Sequence, residues 1–434
     1  GVPLALLAML ALALGLTRER EGSGEKQIEE RFLLYDAKIG EGFNLQKEIF
    51  IRAAWLAEAL NAGCQQEAAS RAGEGSKPCS SWVVVLPPWC HLAHWQVPRG
   101  TTMGWGNFFD LEHMNTGRVS IMEYETYKQH ARGGQDSVDE IVHLETFSPD
   151  TWTPSHKIID CQDSKKFNTL IEADGGSYIG VYSGYCTHIR AQKAVCVSTW
   201  GQPSTFLEPI LKKSESVSVL VKSLDHATGP YDGNYHTFRE KMMFSSGVRA
   251  DAEEYITNHL KRPYLGAHVR RSDFATYAHP TTTPSVENVA ETIRMLITRH
   301  KFRSVFVATD STAAEKEALK KMVPAVVFME KDFGHPGVNA VVEQWICALS
   351  DKFVGTRISR FTLNIQEERD LLGISGDLTW NHFCKGLSNQ TCYKGNWFRD
   401  FPTSKRRETL YGSTVERIHA SAQQHAGQRN KDEL

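Results

Sequence analysis

The sequence predicts an α/β protein built as two halves that face each other across a cleft. Three observations carry this. The chain has 434 residues, more than one hydrophobic core usually serves. In its second half, short apolar runs alternate with segments of helical period, the pattern of βαβ units around a parallel sheet. The first half opens the same way, with an apolar run, a glycine turn and a helix.

In chain order, Val2 to Leu16 are almost wholly apolar and are followed by Arg18, Glu19 and Arg20. That length suits a signal-peptide core and is short for a bilayer span; a short membrane anchor is the alternative. Residues 1–27 are therefore read as a signal-like segment with its linker, and no stable membrane span is expected. The first half covers 28–245, with strands at Phe32–Tyr35 and Trp82–Leu86 and a helix from Leu45 to Leu60. A Gly-, Ser- and Glu-rich insertion, Gly63 to Ser80, carries Cys64 and Cys79, which could close it as a loop. Asn107 to Gly201 reads as irregular. The second half, 246–400, has strands at Leu265–Val269, Val305–Ala308, Val326–Met329 and Phe353–Gly355, with helices at Val286–His300, Ala313–Met322 and Val338–Ser350. The polar tail of 401–434 is expected to be disordered.

A net charge of −2 gives no support for a broad nucleic-acid surface, so any anion site must be local. The chain stops at Lys431-Asp432-Glu433-Leu434, the receptor-read retrieval signal of the endoplasmic reticulum. A soluble lumenal protein is expected, with the retrieval (KDEL) receptor as a partner. In that compartment most of the nine cysteines should be paired or buried. Asn389-Gln390-Thr391 is a glycosylation sequon, which fits an exposed loop between Cys384 and Cys392.

Three stretches carry candidate chemistry. His268-Val269-Arg270-Arg271-Ser272-Asp273-Phe274 follows a strand, where open parallel sheets bind ligands. A guanidinium fork beside a histidine suits a diphosphate; the plain alternative is a strand-end ion pair between Arg271 and Asp273. Gly355-Thr356-Arg357-Ile358-Ser359-Arg360-Phe361 also follows a strand and offers hydroxyls, amides and guanidinium as an anion nest. On the helix before it, Glu343 is placed to accept from two ribose hydroxyls, or is a solvated charge. Gly40-Glu41-Gly42-Phe43-Asn44 lacks the third glycine of the dinucleotide fingerprint, since Leu45 stands there, and reads poorly as a nicotinamide motif. Its alternative is a structural turn with Glu41 in the first turn of a helix. Cys90-His91-Leu92-Ala93-His94 has ligand-type residues without a second ligand pair, so no metal site is assigned.

Together these stretches resemble protein O-fucosyltransferases, and among them the branch that modifies thrombospondin type 1 repeats. The resemblance rests on Leu34-Tyr35-Asp36 with Gly40 to Leu45, Leu86-Pro87-Pro88-Trp89 with His94-Trp95, and the His268 to Phe274 stretch. It continues through Ala308-Thr309-Asp310, Gln344-Trp345-Ile346-Cys347, Gly355-Thr356 with Ser359 and Phe361, and Glu367-Glu368-Arg369. It implies a GT-B fold of two Rossmann-like domains with GDP-fucose in the cleft as donor, no obligatory cofactor, and a divalent ion only as a stimulant. It further implies Glu41 as catalytic base, and Gly40, Gly42, Phe43, Asn44, His268, Arg270, Glu343, Ser359, Arg360 and Phe361 around the donor. Cys161 with Cys196, and Cys384 with Cys392, match the family's disulfides. Two positions depart: Glu343 stands for the usual Asp, and Arg360 for a usual hydroxyl residue. The implied reaction is inverting transfer of fucose to Ser or Thr of folded repeats. EGF-like repeats as acceptor, and a lumenal protein that binds repeats without turnover, are the alternatives. The opening turn carries Glu41, where the EGF-repeat enzymes have no Glu.

Overall fold

In the computed structural model, two parallel sheets stand with the carboxyl ends of their strands turned to one cleft. The structure describes residues 29–383, apart from 37–40, 71–79, 147–154, 164–169, 173–178, 201–205, 227–232, 279–282 and a few shorter gaps, together with 413–421.

The first sheet uses strands β1 (Glu29–Tyr35), β2 (Ser80–Leu86), β3 (Ser120–Glu123), β4 (Glu140–Thr146), β5 (Ser155–Ile159), β9 (Lys193–Trp200) and β10 (Ser218–Lys222), in the order β3-β2-β1-β10-β4-β9-β5. All pairs are parallel except β5 with β9. A small antiparallel sheet of β6 (Leu170–Glu172), β7 (Ile179–Tyr182) and β8 (His188–Ala191) stands apart. The second sheet is wholly parallel, with β11 (Tyr264–Val269), β12 (Ser304–Thr309), β13 (Val326–Val327), β14 (Lys352–Gly355) and β15 (Thr379–Trp380) in the order β13-β12-β11-β14-β15. Strand order reverses beside β1 in the first sheet and beside β11 in the second. Such a switch point opens a crevice at the carboxyl ends of the strands.

Continuous apolar runs form the inner strands such as β1, β2 and β12, because both faces are covered. The two-residue period sends Leu33 and Tyr35 of β1 into one core and Phe32 and Leu34 into another. The helices that bear on the site are α1 (Phe43–Ser70), α2 (Gly233–Lys241), α3 (Ser246–His259), α4 (Val286–His300), α5 (Ala313–Met322), α6 (Pro336–Ala348) and α7 (Arg360–Leu371). Their starts are written in the sequence. Ser285 caps α4, Thr312 and Glu315 form a capping box on α5, and α6 begins with Pro336 after a His335 cap.

The main core is shared by the two sheets. A file of rings, Phe43, Phe109, Phe244 and Trp345, runs from α1 to α6 at centroid spacings of 5.8, 5.9 and 5.6 Å.

Three expectations are corrected. The Gly63 to Ser80 insertion begins as helix, since α1 continues to Ser70; Ala and Glu in that stretch sustain a helix that its glycines and serines disguised. The stretch 107–201 supplies β3 to β9, whose charged ends hide strands. Glu140 is one case, buried in β4 and bonded by the hydroxyls of Ser214 and Ser216. The tail after Phe401 is not wholly disordered. Residues 413–421 form a helix that inserts Ile418 into the main core, with Val415 one turn before it and Arg417 facing Asp351.

Candidate active site

The cleft has a volume of about 420 Å³ and takes its walls from both sheets. The turn after β1 provides the first wall. The Gly42 carbonyl accepts the amides of Leu45 and Gln46, and the Gln46 side chain holds the Glu41 carbonyl at 2.9 Å, so the start of α1 fixes where Glu41 stands. Phe43 meets the cleft, but its ring is buried among Trp89, Trp95, Phe108 and Phe109 and so shapes the wall. Asn44 reaches across to Gln344 of α6 at 3.3 Å. Gly40 lies outside the described residues, as do Cys79, Cys384, Asn389, Cys392 and the terminal tetrapeptide.

The opposite wall begins at the end of β11. His268 is buried, bonded through Nδ1 to the Thr362 hydroxyl at 2.7 Å and stacked on Phe361 at 4.4 Å. Burial pushes its pKa down to about 3, with the Arg270 charge adding to the fall and Asp310 opposing it, so the ring is neutral at pH 7. His268 thus supports the phenyl ring of Phe361. Arg270 projects from the strand end, with Nη2 2.8 Å from Asp273, Nη1 3.0 Å from Asp310, and Nη2 3.2 Å from Nε2 of His94. The plain alternative read from the sequence had the wrong arginine: Arg271 turns to Glu315 at 2.9 Å, and Asp273 belongs to Arg270.

Ser359, Arg360 and Phe361 begin α7 and all three meet the cleft. The Ser359 side chain makes no cap bond, so the first amides of α7 remain open toward an anion. Arg360 rests 3.5 Å from Glu48 of α1, which brings its guanidinium to the cleft edge between the sheets. Gly355, in β14, stands where a Cβ would lie 2.4 Å from Thr362; only glycine lets α7 turn back this tightly.

Glu343 lines the cleft from α6. Burial pushes its carboxyl from 4.5 up to about 8, with Lys316 opposing, so the unliganded cleft holds it mostly protonated at pH 7. It then offers one donor and one acceptor in place of two acceptors. Because the folded state binds this proton more tightly than the unfolded chain, the contribution of Glu343 to stability is full below about pH 4.5 and declines as pH rises to about 8. Glu343→Gln should remove that decline, raising the melting temperature more at pH 8.5 than at pH 5. An equal shift at both pH values would place the raised pKa elsewhere.

Acidic side chains outnumber basic ones on the walls: Glu41, Asp273, Asp310 and the protonated Glu343 face Arg270 and Arg360. Among the described residues, no three His, Cys, Asp or Glu side chains are grouped to hold a metal ion. Cys90 is bonded to Cys186, so the Cys90 to His94 stretch is a tethered loop, and Cys161 is bonded to Cys196; Cys347 is free and buried.

This arrangement has known relatives. The family model of GDP-fucose protein O-fucosyltransferases matches residues 32–372. The protein named GDP-fucose protein O-fucosyltransferase 2 of Homo sapiens is 30% identical over 402 residues, covering 83% of this chain and 88% of its own. The chain belongs to the GDP-fucose protein O-fucosyltransferase family. The identically named protein of Caenorhabditis elegans is 27% identical over 397 residues, covering 82% and 87%. In fold, this O-fucosyltransferase is similar to the crystal structure of POFUT1 in complex with GDP-fucose, with a TM-score of 0.52 at 15% identity over 78% of this chain and 95% of that one. The α/β architecture is thus of the GT-B kind.

Several cleft residues of the O-fucosyltransferase were given no task by the sequence reading: His94, Asp273, Asp310, Gln344 and, behind the wall, Thr362. His94, Asp273, Asp310 and Gln344 stood inside the stretches that carried the resemblance, but polar residues there gave no sign of which would converge.

Proposed function

We propose that this O-fucosyltransferase moves L-fucose from GDP-fucose to a Ser or Thr hydroxyl of folded thrombospondin type 1 repeats, with inversion, in the lumen of the endoplasmic reticulum. The observation that carries the reading is the cleft itself, where a carboxylate held by one sheet, Glu41, faces a guanidinium and an open helix start held by the other, Arg270 and α7. The acceptor hydroxyl is far too weak an acid to attack unaided, so Glu41 takes its proton as the new oxygen–carbon bond forms at the anomeric centre. The bond from that carbon to the β-phosphate oxygen breaks on the far side, and GDP leaves with the electron pair. Arg270, Arg360 and the α7 amides stabilise the charge that develops there. The Glu343 carboxyl faces the nucleoside end.

Relatives named GDP-fucose protein O-fucosyltransferase 2 support the donor and the reaction class. Glu41 at the opening turn supports the thrombospondin-repeat acceptor, and the terminal Lys-Asp-Glu-Leu, with two disulfides among the described residues, supports the lumenal site. The test is transfer of labelled fucose from GDP-fucose to folded thrombospondin and EGF-like repeats, with the product's anomeric configuration read by NMR. Transfer to the former with inversion is expected. Labelling of EGF-like repeats alone would overturn the acceptor, a retained configuration would overturn the single displacement, and donor binding without transfer would mark a repeat-binding protein.

A further inference from the structure

One cleft side chain so far without a task reaches toward both walls. His94 sits on a loop fixed at one end by the Cys90–Cys186 disulfide and beside it by Trp95. The Trp95 ring is buried, meets His335 edge-on at 5.2 Å, and lies so close to α6 that a Cβ on Gly337 would fall 2.5 Å from it. His94 itself is held at φ 77°, a left-handed conformation that residues with side chains seldom adopt. Such conformations persist only where the surroundings enforce them.

The imidazole lies over the catalytic turn, since a Cβ built on Gly42 would be 3.6 Å from its Cδ2. Its Nε2 is 3.2 Å from Nη2 of Arg270. A guanidinium can only donate, so Nε2 accepts, and the ring is neutral with its proton on Nδ1. The other acceptors on Arg270, Asp273 and Asp310, both belong to the second sheet; His94 alone among the three comes from the first. Around His94 stand Arg270 and Asp273 beyond β11, Asp310 beyond β12, Glu41 before α1, and His335 across Trp95. His94 is exposed at the cleft surface; partial desolvation there and then the Arg270 charge keep its pKa below the ordinary 6.5, against the opposing pull of the three carboxylates.

The geometry points to His94 as a positioning residue: its neutral Nε2 aligns the Arg270 guanidinium across the cleft for the donor diphosphate, and protonation of the ring in acid turns the contact repulsive and releases it. This rests on the fucosyl-transfer reading above, through the placing of the diphosphate at Arg270.

The test is calorimetric binding of GDP-fucose without acceptor from pH 5 to 8, because its diphosphate carries no proton that titrates in that range. His94→Gly keeps the left-handed backbone without strain, and His94→Gln restores an acceptor that cannot take up a proton. Wild type should lose affinity on the acid side of the range. His94→Gly should bind about tenfold more weakly at pH 7.5, the worth of a bond to a charged group, and should lose the acid fall. His94→Gln should regain most of the affinity and lack the acid fall, any change toward pH 8 being left to Glu343, and in transfer assays KM for the donor should move more than kcat. An acid fall unchanged in His94→Gly would assign it to another group of the cleft and overturn the inference, as would unchanged affinity at pH 7.5. No binding by wild type at any pH would remove the fucosyl-transfer reading, and this inference with it.

Discussion

Glu41→Ala should lower fucose transfer about 10²-fold or more while GDP-fucose still binds. The size follows from the task. A hydroxyl attacking an anomeric carbon must lose its proton as the bond forms, and a positioned base typically contributes about 10²- to 10⁴-fold. The selectivity follows from the architecture. Glu41 belongs to the turn before α1, whereas the groups proposed to face the diphosphate belong to the second sheet and to α7. Removing the carboxylate should therefore appear in kcat, and calorimetry with the donor should be little changed. Glu41→Gln keeps the side chain's size and should be as slow, since an amide takes up no proton at neutral pH. Turnover of either variant within about threefold of wild type, far short of a lost base, would place the base elsewhere.

Arg239→Met should destabilise the fold by about 3–5 kcal/mol, the usual result of removing one partner from a buried ion pair. Arg239 is 0% exposed, with Nε 3.0 Å from Glu367 and Nη2 2.6 Å from Glu368. Tyr235 adds a bond to Glu367 at 2.9 Å. Close by, Lys47 of α1 is buried, and its ammonium has no hydrogen-bond partner among the described residues. Its pKa is pushed down to about 7 by burial and by Arg239, against Glu368, Glu367 and Glu48. The cluster thus joins α1, α2 and α7, the helices that run back from both walls of the cleft. Without the guanidinium, two carboxylates remain in a site that excludes water. Chemical denaturation followed by tryptophan fluorescence would measure the loss. A change under about 1 kcal/mol, the scale of an exposed pair, would mean the cluster is solvated.

Strands with unbroken apolar cores were legible in the sequence, because burial on both faces leaves one pattern. Phe32–Tyr35 and Trp82–Leu86 are such runs, and the turn after the first is where one wall of the cleft begins. Strands with charged ends were not legible, because a buried Glu140 is tolerable only through Ser214 and Ser216, more than seventy positions away. The same limit held in the site. That an arginine beyond β11 would enter the cleft followed from the strand end, but that Asp273 and Asp310 would both grip Arg270 depends on β11 and β12 lying side by side. The helix 413–421 was hidden for the opposite reason: a single buried Ile418 among polar neighbours gives almost no periodic signal.

The file of rings from Phe43 to Trp345 bears on how quickly the enzyme can turn over. A hinge that parted the sheets would have to break the file at its Phe244–Trp345 contact, whose two rings are at most 1% exposed. Aromatic side chains bury about 150–250 Å² apiece, and uncovering apolar area costs about 25 cal/mol per Å². Uncovering these two in full would cost about 8–12 kcal/mol, so a wide opening at every catalytic cycle is disfavoured. The easier route for a nucleotide sugar is then over the rim, where rotation of a long side chain such as Arg360 opens the way without moving the sheets.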